Sequence, residues 1–201
     1  MTKSLSNLLE TDEVYIIFGG PSLKDFDFSK LNGKVTIGCN KCAEIYETSA
    51  VISIDPTYIN TRKNFLKNYT GVVALGRRDT KPHQSVIDEI NPDYSYFHDK
   101  RFPDKLSENP QVLYGTNTGH AAINFSMLHD FKKIHALGLD MKIGHWHGGY
   151  THSRQRNDLL EYWAMHIDSV KPQLDEKGIE MINYNPDSAI RAYEFGDLNS
   201  I

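Results

Sequence analysis

Val14-Tyr15-Ile16-Ile17-Phe18-Gly19-Gly20-Pro21-Ser22 joins an unbroken apolar run to a turn of two glycines and a proline. A run of this kind, without polar alternation, is what a strand covered on both faces requires, and such strands belong to parallel sheets flanked by helices. Val35-Thr36-Ile37-Gly38, Ala50-Val51-Ile52-Ser53-Ile54, Val72-Val73-Ala74-Leu75 and Ile134-His135-Ala136-Leu137 follow the same rule, and 179–184 reads as a late strand. Between them, Ala121, Ala122, Phe125 and Leu128 recur at helical spacing over 118–131, leading straight into the strand at Ile134. A second helix covers 157–174, with Leu159, Leu160, Trp163, Ile167, Val170 and Leu174 on one face. Pro172 ends or kinks its last turn, and Gly178 stops it before the last strand. Strand and helix alternate, so the expected fold is a three-layer α/β single domain over 1–201 with a mostly parallel sheet. The segment 79–110, rich in Pro, Asp, Lys and Tyr, reads as the least regular part, an insertion or lid reaching about residue 112.

The 201 residues carry 22 Lys and Arg against 26 Asp and Glu, a formal charge of −4. That balance argues against a generally basic, nucleic-acid-binding surface while leaving room for a local basic patch. A chain of this length buries roughly 70% of its unfolded surface, so its core needs no disulfide. Its apolar runs fall far short of the roughly 20 residues that cross a bilayer. The first ten residues lack the apolar stretch of a secretory signal, so the expected compartment is the cytoplasm. Cys39 and Cys42 form a single C-x-x-C, read as two reduced thiols near a strand end rather than a redox pair or half a zinc site.

Ligands of open α/β sheets bind outside the carboxyl ends of the strands. There stand Gly19, Gly20, Pro21 and Ser22 after the first strand, Asn40 after the second, Asp55 after the third, and Asp140 after the run at Ile134. The glycines let the backbone approach a phosphate or ribose, or serve only the turn, while Ser22 can cap or donate to phosphate. Thr116, Asn117, Thr118 and Gly119 open the helix at 118, where free N–H groups and hydroxyls suit an anion or sugar hydroxyl, or simply cap the helix. Asp55 and Asp140 can hold Mg²⁺, accept from a ribose or substrate hydroxyl, or cap turns. His145-Trp146-His147-Gly148-Gly149-Tyr150-Thr151-His152 offers three imidazoles and a phenol for proton transfer. Its spacing is not specific for a metal, and no metal ligand is assigned. The remaining histidines read as packing or surface groups, with His120 set apart by its place beside Gly119.

The ordered set Gly20-Pro21-Ser22-Leu23-Lys24, Asp27-Phe28-Ser29-Lys30-Leu31, Ile37-Gly38-Cys39-Asn40, Asp55-Pro56, Thr118-Gly119, Leu137-Gly138-Leu139-Asp140-Met141 and Asn185-Pro186-Asp187-Ser188 resembles bacterial sialyltransferases that use CMP-sialic acid. It is also similar to a wider Rossmann-like group that includes 6-hydroxymethylpterin diphosphokinase-like proteins. The resemblance implies a Rossmann-like fold in which Gly20, Pro21, Ser22 and Asn40 contact the donor nucleotide. Thr118, Gly119, Asn185 and Ser188 would border it, with His147 or His152 as general base. Gly19 and Asp55 depart from the family, which has Asn at both places. Those changes can suit another nucleotide or a Mg²⁺-bound diphosphate. Asp25-Phe26-Asp27 resembles the D-x-D metal motif of other glycosyltransferases, yet reads as a solvated turn.

The leading expectation is therefore a glycosyltransferase-like enzyme moving a sugar from a nucleotide-sugar donor to a hydroxyl acceptor. The acceptor could be a glycan, a small molecule or a nucleic-acid base. His152 or His147 would take the acceptor proton, while Tyr114 or Tyr150 and the Thr118 loop steady the leaving phosphate. A second reading is Mg²⁺-dependent diphosphoryl transfer from ATP to a small heterocyclic alcohol, and a third is a non-catalytic nucleotide-binding protein. No cofactor is firmly implied, Mg²⁺ being the one candidate, and a homo-oligomer would be ordinary for such an enzyme.

Overall fold

A computed structural model describes residues 5–78, 80–148 and 156–201. Among them lie β1 (Glu13–Ile17), β2 (Thr36–Cys39), β3 (Ala50–Ser53), β4 (Val72–Arg77), β5 (Tyr94–Asp99), β6 (Val112–Tyr114), β7 (Lys133–Leu137), β8 (Glu180–Asn183) and β9 (Glu194–Phe195). They form one sheet in the order β6-β5-β4-β3-β2-β1-β7-β8-β9, every pair parallel. The helices are α1 (Leu5–Leu8), α2 (Cys42–Ile45), α3 (Pro56–Thr61), α4 (Lys63–Lys67), α5 (Lys81–Ile90), α6 (Thr118–Leu128), α7 (Asn157–Ser169) and α8 (Lys171–Glu176).

The apolar runs are explained by cover on both faces. Val14, Ile16, Ile37 and Ile52 pack with Phe125 of α6 and Ile167 of α7. On the other face Tyr15 and Ile17 meet Leu23 and Leu31, while Val51, Val73 and Leu75 meet Ile59, Leu66 and Ile87 of α3, α4 and α5. Successive side chains of a strand point to opposite faces, so each strand must be apolar throughout to serve both.

Three expectations change. The helix foreseen over 157–174 is two helices, because Pro172 sits in the first turn of α8, where its missing N–H is harmless. The helix foreseen to 131 stops at Leu128, and Asp130 takes a left-handed conformation before β7. The irregular chain expected over 79–110 is corrected for 81–99, which holds α5 and β5. Pro82 opens α5 instead of breaking it, and Ile87 and Ile90 supply its buried side.

Residues 100–111 contain no helix or strand and are held by side-chain amides. Gln173 bonds both the N–H and the C=O of Leu106, at 2.9 and 2.8 Å, and Asn124 does the same for Ser107, at 2.9 Å each. The amino-terminal end is tied by His129, whose Nδ1 accepts the Leu5 N–H at 3.0 Å. Its Nε2–H then donates to the Tyr96 hydroxyl at 2.6 Å. No described helix is long and apolar enough to cross a membrane.

Candidate functional site

From β1 the chain steps outward as far as β6, and α6 then carries it back to β7 on the opposite side of β1. The connections leaving β1 and β7 therefore diverge, opening a crevice at their carboxyl ends. The groups that follow β1, β2 and β7, the start of α6, and His145 to His147 all gather there.

Asp140 is the strut of this edge. It is 1% exposed. Its carboxylate accepts from the Ser22 N–H and hydroxyl, each at 2.7 Å, and from the Asn185 amide at 2.7 Å. Gly20 donates its N–H to the Gly138 carbonyl at 2.9 Å, so close that a Cβ there would collide with that carbonyl and with the Asp140 carboxyl. Pro21 starts the short 3-10 turn that follows. Ser188 lies behind, fully buried, donating to the Leu139 carbonyl at 2.6 Å. Ser22, Asp140, Asn185 and Ser188, the candidate nucleotide-binding residues of this edge, have internal hydrogen-bond partners that shape the turn.

Asp55 caps α3, accepting from the N–H groups of Thr57 at 2.8 Å and Tyr58 at 3.4 Å. It follows β3 whereas Asp140 follows β7, three strand spacings or about 14 Å apart. The Mg²⁺ pair of the diphosphokinase reading thus falls on two carboxylates at separate strand ends, each already accepting from the chain. Asp27 likewise caps its own exposed turn through Ser29, at 3.0 and 2.7 Å. Among the described residues no cluster of three or more His, Cys, Asp or Glu is placed to hold a metal. Cys39 and Cys42 are free, buried thiols, and burial pushes Cys42 up to about 12.

Asn40 adopts the left-handed conformation that asparagine tolerates, with φ of 53°. Its side-chain oxygen accepts from the Thr118 hydroxyl at 3.3 Å, joining the end of β2 to the start of α6. Asn117 caps α6 by accepting from the His120 N–H at 3.0 Å. Gly119 presses on the Phe18 ring, where a Cβ would lie 2.8 Å from a ring carbon, so the helix start rests on the end of β1. Thr116 Oγ1, Asn117 Nδ2 and His120 Nε2 are buried without a hydrogen-bond partner among the described residues. Burial, aided by nearby His166, pushes His120 down to about 4.

The histidine segment is anchored by a residue that the sequence reading passed over. Trp146 donates its indole N–H to the Phe18 carbonyl at 2.9 Å and its backbone N–H to Gly19 at 3.3 Å, and its ring packs on Phe28, 4.7 Å between centroids. An indole inside a polar, glycine-rich stretch is the signal that could have flagged it. His145 and His147 stack at 4.9 Å with 10° between planes. His145 Nδ1 lies 3.1 Å from the Gly19 carbonyl, which makes it the protonated nitrogen. A Cβ at Gly19 would come within 2.9 Å of that nitrogen, so the imidazole fills the space that a side chain would take. Burial, then His145 and Lys41, push His147 down to about 4, leaving it neutral at pH 7. Tyr150 and His152 lie outside the described residues.

No protein-family model matches the chain, and no curated protein matches its sequence. Solved structures do match. The sialyltransferase CstII from Campylobacter jejuni, in complex with the substrate analogue CMP-3FNeuAc, superposes with a TM-score of 0.53 over 92% of this chain and 86% of that one, at 14% identity. The sialyltransferase CST-II in complex with a trisaccharide acceptor and CMP gives 0.56 over 94% and 88%, at 15% identity. At such identity the likeness is one of fold.

Proposed function

We propose that this chain is a glycosyltransferase-like enzyme that seats a nucleotide-sugar donor in the crevice between the ends of β1, β2 and β7 and passes the sugar to a hydroxyl acceptor. The observation that carries the reading is the stacked His145 and His147 pair lying over Gly19, beside the start of α6, at the switch point of the sheet. The solved CstII complexes that share the fold hold CMP and CMP-3FNeuAc, which supports a nucleotide-sugar ligand.

In this reading the Gly19 and Gly20 backbone, Asn40 and residues 116–119 meet the nucleotide, with the amide groups of α6 facing phosphate. His147 or His152 takes the acceptor proton as the acceptor oxygen bonds to the anomeric carbon. The bond from that carbon to phosphate breaks, and the nucleotide leaves with its electron pair. Tyr114 or Tyr150 and the Thr118 loop steady the departing charge. A neutral His147 has a lone pair to accept the proton, and the anionic donor beside it raises its basicity toward neutrality.

The test is a thermal-shift and calorimetric screen of CMP, UDP, GDP, ADP and ATP, each with and without Mg²⁺. CMP or UDP is expected to bind without the metal. Binding of none of the five, or of ATP alone and only with Mg²⁺, would overturn the reading. Asn40→Ala is expected to weaken the bound nucleotide by about 1 to 3 kcal/mol, and an unchanged affinity would return Asn40 to the fold. Of His147→Ala and His152→Ala, one is expected to lose about a hundred-fold in turnover with nucleotide affinity intact. Full turnover in both removes histidine as the base.

A further inference from the structure

β1 ends against three other parts of the chain. The Phe18 ring lies on Gly119 at the start of α6, where a Cβ would come within 2.8 Å of a ring carbon, and the Phe18 carbonyl takes the Trp146 indole N–H at 2.9 Å. The Gly19 carbonyl then takes the Trp146 backbone N–H at 3.3 Å and the His145 Nδ1–H at 3.1 Å. The register of β1 with β2, Ile17 beside Gly38, brings Asn40 and Lys41 next to Gly19 and Gly20. The first turn of α6, Lys41 and the stacked imidazoles of His145 and His147 therefore stand around one strand end. A phosphate held by the α6 amides has those imidazoles beside it.

The charges around the pair favour an anion. Lys41, from the start of α2, acts on both rings. Cys42, packed with Trp146, is kept neutral by burial, and the Asp140 carboxylate under Gly20 already accepts from Ser22 and Asn185. Burial foremost holds His145 below its ordinary value, against the pull of the Gly19 carbonyl and with the help of Lys41. The empty site thus keeps both rings neutral at pH 7. A bound phosphate reverses the balance, because an opposite charge within about 4 to 6 Å favours the ionised imidazole. The added proton goes to Nε2, since Nδ1 already carries one toward Gly19. Two rings 4.9 Å apart oppose each other's ionisation, so His147 keeps its lone pair.

We infer that His145 meets the donor phosphate as an imidazolium, and that the site takes up a proton from solvent as the nucleotide binds. The inference rests on the sugar-transfer reading and adds a pH control to its donor site. When the bond between sugar and phosphate breaks, the leaving nucleotide gains a negative charge, and a cation already in place holds it more tightly than it held the donor. Product release is then the step that the proton governs, and the spent nucleotide stays longer as the medium becomes more acid.

The experiment follows the His145 imidazole by NMR from about pH 5 to 8, in chloride and in sulfate at equal ionic strength, its signal assigned by its loss in His145→Gln. Sulfate keeps its two charges over this range, so any change in the titration belongs to the protein. The midpoint is expected to rise by about one pH unit in sulfate. Calorimetry of CMP or UDP at pH 7, in buffers of unlike protonation heat, is expected to show more proton uptake by the wild type than by His145→Gln. A midpoint that sulfate leaves in place overturns the inference, as does a rise at His147 instead of His145. So does equal proton uptake by wild type and variant. The sulfate titration needs no nucleotide, so a failed nucleotide screen would remove the transfer reading without deciding whether this anion site takes up its proton.

Discussion

Asp140→Ala is expected to cost about 4 kcal/mol of folding stability, seen as a lower urea midpoint at unchanged slope. The carboxylate is 1% exposed and accepts from Ser22 N–H, Ser22 Oγ and Asn185 Nδ2, so its removal strands three donors, buried at Asn185 and part-buried at Ser22. Gly20 is packed against the same carboxyl, and the lost side chain also leaves a void beneath the turn. Asp140→Asn keeps one oxygen for the Ser22 N–H but turns an amide toward the other donors, so it should recover only part of the loss. An Asp140 acting mainly through a ligand would leave the stability of the empty protein untouched. A midpoint unmoved by the alanine change would therefore return Asp140 to the list of binding groups.

Lowering the pH from 7.5 to 4.5 is expected to remove on the order of 5 kcal/mol of stability through two buried imidazoles alone. His120 and His129 are both pushed down to about 4 by burial, against an ordinary value of 6.5. The unfolded chain takes up these protons once the pH falls below 6.5, whereas the folded chain refuses them until about 4. Stability is therefore complete above 6.5 and is lost as the pH falls through that window. The steepest part should approach about 2.7 kcal/mol per pH unit for two groups. His129→Gln retains an acceptor for Leu5 and a donor for Tyr96, so it should roughly halve the slope whatever its effect at neutral pH. Urea midpoints that stay flat between pH 6.5 and 5 would show that the folded state accepts these protons.

The strands that the sequence made legible are those buried on both faces, where Val, Ile and Ala follow one another without interruption. β5 escaped notice because Tyr94-Ser95-Tyr96-Phe97-His98-Asp99 lies near a sheet edge, where only Tyr96 and Asp99 are buried and no continuous apolar run is needed. β6 and β9 are three and two residues long, too short to carry any periodicity. At the site, the strand-end rule located Gly19, Gly20, Ser22, Asn40 and Asp140, and the helix-start rule located Asn117 and Thr118. Neither rule reveals whether a polar group faces a ligand or another part of the chain. Asp140 was ambiguous because its partners Ser22 and Asn185 lie 118 and 45 residues away.

The place of β1 also has a consequence for how the molecule is made. Its neighbours in the sheet are β2, about twenty residues downstream, and β7, whose pairing joins Ile17 to Leu137. At translation speeds of about 5 to 20 residues per second, the second partner reaches the ribosome exit on the order of ten seconds after the first. Through that interval Val14 and Ile16 belong to a strand with one flank unpaired, and parallel pairings of such long range form slowly. The crevice between β1 and β7 is thus among the last features to exist on the nascent chain. The period before it closes is when the unfinished sheet is most open to pairing with the wrong strand, whether its own or that of a neighbouring copy.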